Sequence, residues 1–150
     1  MDYELLYRII NLGVLPAWLL LAFVPQARVT TSLVHSGIYP LVYGLIYAVL
    51  LVWSMAFGAG AADGNMNTAA GVAVIFSHPH GILLGWTHYL VFDLFVGAWI
   101  VRDGARQGIA HWKLFPILFC TLMFGPVGLM LYFILRKLST PAGLSSSESK

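Results

Sequence analysis

The stretch ILLGWTHYLVFDLFVGAWIV, residues 82–101, decides what kind of chain this is. Twenty residues of helix extend about 30 Å, the thickness of a bilayer's hydrocarbon core, and Asp93 is the one acidic or basic residue among them. An aspartate at the centre of a spanning helix costs about 2.5–3.5 kcal/mol on insertion scales, so such residues turn to a polar interior and mark candidate sites. His88 precedes it, and Trp86, Tyr89, Phe92 and Phe95 supply rings on the same helix.

Three further stretches have the length to span: Leu5–Val24, Gly37–Phe57 and Leu114–Leu135. Across the 150 residues 59% are hydrophobic and 9% charged, with mean hydropathy +0.83, against about 25% charged in a soluble domain. The expectation is an all-α integral membrane protein of four transmembrane helices over residues 1–138. Residues 139–150, rich in Ser, read as a disordered tail. A net charge of +2 without a basic run argues against nucleic acid. The acidic start Met1-Asp2-Tyr3-Glu4 and the lack of a cleavage site mark the first stretch as a retained span, not a signal peptide.

With four spans both termini share one side, and the basic residues divide almost evenly. Arg28, Arg102, Arg106 and Lys113 fall in loops one and three, whereas Arg8, Arg136, Lys137 and the distant Lys150 fall on the terminal side. Positive charge near span ends leans towards cytoplasmic loops one and three.

Between the second and third spans, Gly58–Gly81 contains eight apolar residues, Ala69–Phe76, too few to cross. They read as an interfacial or re-entrant helical segment ending at Ser77-His78-Pro79-His80. His78 and His80 lack the acidic or further histidine partners of a metal site, so no metal is expected. The single cysteine, Cys120, reads as a packing residue in the fourth stretch. There, Pro126 between Gly125 and Gly128 removes a helical donor and is expected to kink the helix, with Tyr132 beyond it.

At 100° per residue, Trp86, Tyr89, Asp93 and Gly97 share one stripe of the third helix. His88, Phe92, Phe95 and Trp99 lie nearly opposite, His88 about 140° from Asp93. One wide cavity must wrap the helix to use both. Tyr39, Tyr43 and Tyr47, spaced by four in the second span, offer hydroxyls towards Asp93 or a ligand. Each residue also has a packing interpretation: Asp93 as a buried hydrogen-bond node, His88 as a satisfied ring, Tyr39 as an interfacial belt residue.

The segments Trp86-Thr87-His88, Asp93-Leu94-Phe95 and Phe124-Gly125-Pro126-Val127-Gly128, with Asn11-Leu12-Gly13-Val14-Leu15-Pro16-Ala17-Trp18 and Pro25, resemble the neoxanthin-synthase-like family. These are small membrane proteins of plants and bacteria associated with abscisic-acid deficiency. The resemblance implies a four-helix membrane protein linked to conversion of the epoxide violaxanthin into the allenic neoxanthin. That step is an isomerisation needing an acid, a base and no redox cofactor. The resemblance assigns no catalytic residues; on chemical grounds Asp93, kept neutral by burial, serves as acid and His88 as base. Trp86, Tyr89, Phe92, Phe95, Tyr43, Tyr47 and Tyr132 would hold the flat polyene.

Two departures from the plant pattern stand out. Ala98 occupies the place of a basic residue, and the chain opens at its first span without a plastid transit peptide. A bacterial inner membrane, and a carotenoid or isoprenoid other than violaxanthin, are therefore expected. Beside the isomerase stands a non-catalytic carotenoid-binding or accessory subunit of a photosynthetic or other membrane complex. A proton-coupled transporter built as a homodimer fits less well, since no inverted repeat is visible. The bilayer itself is the remaining partner.

Overall fold

Asp2 opens the first helix, its carboxylate accepting the Leu5 amide at 3.0 Å, a cap that satisfies one of the free donors at a helix start. A computed structural model describes residues 1–58 and 60–139; the expected tail lies outside them, save Ser139. Helix α1 (Tyr3–Phe23) buries Ile10, Val14, Ala17, Trp18 and Leu21, the three-and-four spacing of one helical face. A short turn of helix, α2 (Arg28–Thr30), passes into one π-helical turn at Thr31–His35 and leads to α3 (Ile38–Phe57).

The apolar octet after the second span forms α4 (Ala69–Ser77), capped by Thr68, whose hydroxyl accepts the Gly71 amide at 3.0 Å. His78 is extended (φ −95°, ψ 135°), as a residue before proline must be. Pro79 then begins α5 (Pro79–Arg106), where its missing N–H goes unneeded. The corner is tight: a Cβ on Gly81 would collide with the Ile75 carbonyl. His80 thereby belongs to the helix and not to the loop.

The described residues form two compact units, one ending at Phe95 and the other beginning at Val96. In the second, Gln107–Ala110 connects α5 to α6 (His111–Phe124), followed by α7 (Pro126–Ser139). The fourth apolar stretch is therefore two helices of 14 residues each, not one kinked span. The reason is local. Gly125 takes φ 38°, ψ −89°, open to glycine alone at little cost, and Pro126 cannot donate back to α6. Gly128 then lies so close to α6 that a Cβ would strike the Thr121 backbone.

Among the described residues there is no strand. By length and composition, three helical segments among the described residues can cross a membrane: Tyr3–Phe23, Arg28–Phe57 and Pro79–Arg106. The all-helical expectation holds. The long apolar stretches at 5–24, 37–57 and 82–101 match helices, the third extending from Pro79 to Arg106.

Candidate functional site

Helix α5 carries the candidate acid because its apolar length leaves Asp93 no solvent. The residue is 8% exposed. Its carboxyl shares a hydrogen bond with the Tyr89 hydroxyl one turn earlier, while Oδ2 is buried with no partner among the described residues. Buried polar atoms are satisfied in the great majority of cases, so this oxygen requires an explanation.

On the same stripe, Trp86 stacks on Tyr89 with centroids 5.2 Å apart and donates its indole N–H to Asn11 Oδ1 at 3.1 Å. Tyr7 of α1 packs on Trp86 at 5.9 Å. Asn11 has no evident role in the sequence beyond its place in the first span; in the structure its amide fixes the ring beside Tyr89. Trp86, Tyr89 and Asp93 thus form one group, as the helical spacing predicts.

His88 belongs to another. It is exposed, with its ring 4.6 Å from Phe92 and 5.8 Å from Tyr47. Phe92 and Phe95 are 54% and 52% exposed. The structure therefore gathers the exposed His88 and Phe92 with the half-buried Tyr47 and leaves His88 apart from the buried Asp93 side.

The tyrosines of α3 divide. Tyr43 is buried and donates to the Ile10 carbonyl of α1 at 2.7 Å; its hydroxyl ties two helices together and is not turned to Asp93. Tyr39 stacks with Tyr43 at 6.3 Å. Cys120 is half-buried.

Tyr132, the remaining candidate, is fully buried and donates to Asp103 Oδ2 at 2.5 Å. The same oxygen lies 3.4 Å from Arg136 Nη1, and Trp99 meets the Tyr132 ring edge-on at 5.3 Å. Asp103 went unnoticed in the sequence because it follows the apolar stretch and neighbours Arg102, as an interfacial charge would. The usable signal was the matched spacing of Trp99 and Asp103 with Tyr132 and Arg136, four residues in each helix.

His80 was also underestimated. It is fully buried, with Nε2 2.9 Å from the Leu50 carbonyl. A carbonyl only accepts, so Nε2 carries the proton. Nδ1 is buried with no hydrogen-bond partner among the described residues, and Tyr3 meets the ring edge-on at 5.9 Å. His78 Nδ1 accepts the His80 amide at 3.2 Å. No group of three or more His, Cys, Asp or Glu side chains suited to a metal occurs among the described residues.

No solved structure matches this chain. It is similar to protein ABA DEFICIENT 4, chloroplastic, of Arabidopsis thaliana, at 27% identity over 130 residues. The match covers 83% of this chain and 57% of the relative, so the chain spans little more than half of that protein's length. A chloroplastic relative lends no support to the bacterial inner membrane expected above. Residues 5–132 match the ABA DEFICIENT 4-like family. Most of the chain is inside that match, and the chain belongs to the ABA DEFICIENT 4-like family.

Proposed function

We propose that this multi-pass membrane protein isomerises an epoxy-carotenoid or related isoprenoid by acid–base chemistry, with Asp93 as the reacting carboxyl. The observation that supports this most is the state of Asp93: buried, hydrogen-bonded by Tyr89 and with Oδ2 unpartnered. Membership of a family associated with the carotenoid pathway supplies the substrate class.

The atoms balance within one carboxyl. Asp93 in its acid form protonates the epoxide oxygen, the C–O bond breaks to a hydroxyl, and the positive charge spreads along the polyene. The carboxylate then takes a vinylic proton, and the electron pair of that C–H bond completes the allene. Asp93 ends as it began, and no electrons leave the substrate. Tyr89 holds the carboxyl in place, and Trp86, fixed by Asn11, forms a wall beside it. This version assigns no base to His88.

A second reading has its own support. His88, Phe92 and Phe95 are exposed, with the half-buried Tyr47 ring beside His88, a surface on which a flat polyene packs without chemistry, as in a pigment-binding subunit. In both readings Tyr43 and Tyr132 hold helices together instead of touching ligand.

Pigment analysis in a violaxanthin-accumulating host separates these. A new allenic carotenoid, lost with Asp93→Asn and kept with His88→Ala, is the expected result. Loss with His88→Ala would return the base to that residue. An unchanged carotenoid co-purifying with wild type and Asp93→Asn would favour binding alone, and neither pigment nor product would count against both readings.

A further inference from the structure

Helices α6 and α7 are each about 21 Å long, well short of a 30 Å hydrocarbon core. They are joined by the Gly125–Pro126 break, and the close approach of Gly128 to the Thr121 backbone folds them against one another. The direction of α7 is fixed by its partners on α5. Trp99 meets Tyr132, and Asp103 meets both Tyr132 and Arg136. The pairs advance together along both helices, so α7 runs parallel to the end of α5 and its last turn lies beside the last turn of α5.

The outer surface suits lipid tails. Phe115, Phe119, Met123, Phe124, Val127 and Met130 are each 43% or more exposed, and the turn between the helices carries no charge. Charge collects at the other end. Arg102, Arg106 and Lys113 flank the α5–α6 connection, and Arg136 and Lys137 close α7.

We infer that α6 and α7 form a re-entrant hairpin: it dips into one leaflet and returns to the face it left, tails against its rings and headgroup phosphates at its basic rim. An uncharged turn belongs in hydrocarbon, and a basic rim belongs at anionic headgroups. The near-even charge division seen with four spans disappears. Arg136 and Lys137 join Arg102, Arg106 and Lys113 on one face. With three crossings, chain order also puts Arg28 there and leaves Arg8, ion-paired to Glu4 at 2.9 Å, on the other. This is the asymmetry that orients membrane proteins.

Single cysteines in a Cys120→Ser background test the inference in sealed membrane vesicles of both orientations, with a membrane-impermeant maleimide. Gln107→Cys and Leu138→Cys are both exposed positions, Leu138 at 79%, where substitution disturbs no packing. The two should label from the same face, with Asn67→Cys labelling from the other and Val127→Cys from neither. Leu138→Cys labelling from the face opposite Gln107→Cys would overturn the hairpin, and so would Val127→Cys labelling from the face opposite Gln107→Cys.

Discussion

Asp93 and Asp103 share one helix and are hidden to the same degree, 8% and 9% exposed, yet their surroundings are opposite. Asp103 sits between a tyrosine donor and an arginine, with Tyr132 and Arg136 converging on Oδ2. Asp93 is hydrogen-bonded to Tyr89, and its Oδ2 meets no partner among the described residues. Burial does not by itself distinguish a working carboxyl from a structural one. Satisfaction does: a paired, hydrogen-bonded carboxylate has its interactions already made, whereas an unmet oxygen still has a bond to form.

The sharpest way to break this comparison is Asp93→Asn. The account expects conversion of an epoxy-carotenoid to fall by about 10²–10⁴-fold, the range for a lost general acid, with thermal unfolding in detergent hardly moved. Next comes Asp103→Leu, which leaves the buried Tyr132 hydroxyl without an acceptor and should cost about 2–3 kcal/mol of stability. Denaturant unfolding would register that cost, while product per folded molecule should stay at the wild-type level. A fall in turnover per folded molecule would join Asp103 to the site.

Tyr89→Phe sharpens the contrast from the other side. Losing one hydrogen bond to a reacting group, worth about 1 kcal/mol, should slow conversion by roughly five- to tenfold. If turnover is untouched, Tyr89 does not hold the carboxyl. The smallest effect is expected of Arg136→Gln. Its side chain is 37% exposed, and ion pairs open to solvent contribute about 0–1 kcal/mol, so unfolding should shift slightly. A loss comparable to that of Asp103→Leu would make the arginine, not the tyrosine, the partner that matters.

Asp93 was legible from sequence because twenty apolar residues isolate one charge, and its stripe with Trp86 and Tyr89 followed from helical spacing alone. Asp103 was not, since its meaning depends on α7 returning to α5, a long-range pairing that one helix's periodicity does not encode. The fourth stretch shows the same limit. Hydropathy reads Leu114–Leu135 as continuous, and Pro126 alone predicts a kink; the positive φ of Gly125 turns the kink into a break. Tyr43 pointed towards Asp93 on paper, but its hydroxyl is taken by the Ile10 carbonyl, because which helix lies against which is decided by tertiary packing. His80 looked like a loop histidine until Pro79 proved to begin the helix.

The most direct test sets Asp93→Asn beside Asp103→Asn in one host, reading allenic product per folded molecule and thermal unfolding for each. Asp93→Asn should unfold like wild type and lose product by about 10²–10⁴-fold, whereas Asp103→Asn should unfold earlier and keep its turnover. Product from folded Asp93→Asn protein at the wild-type rate would contradict this.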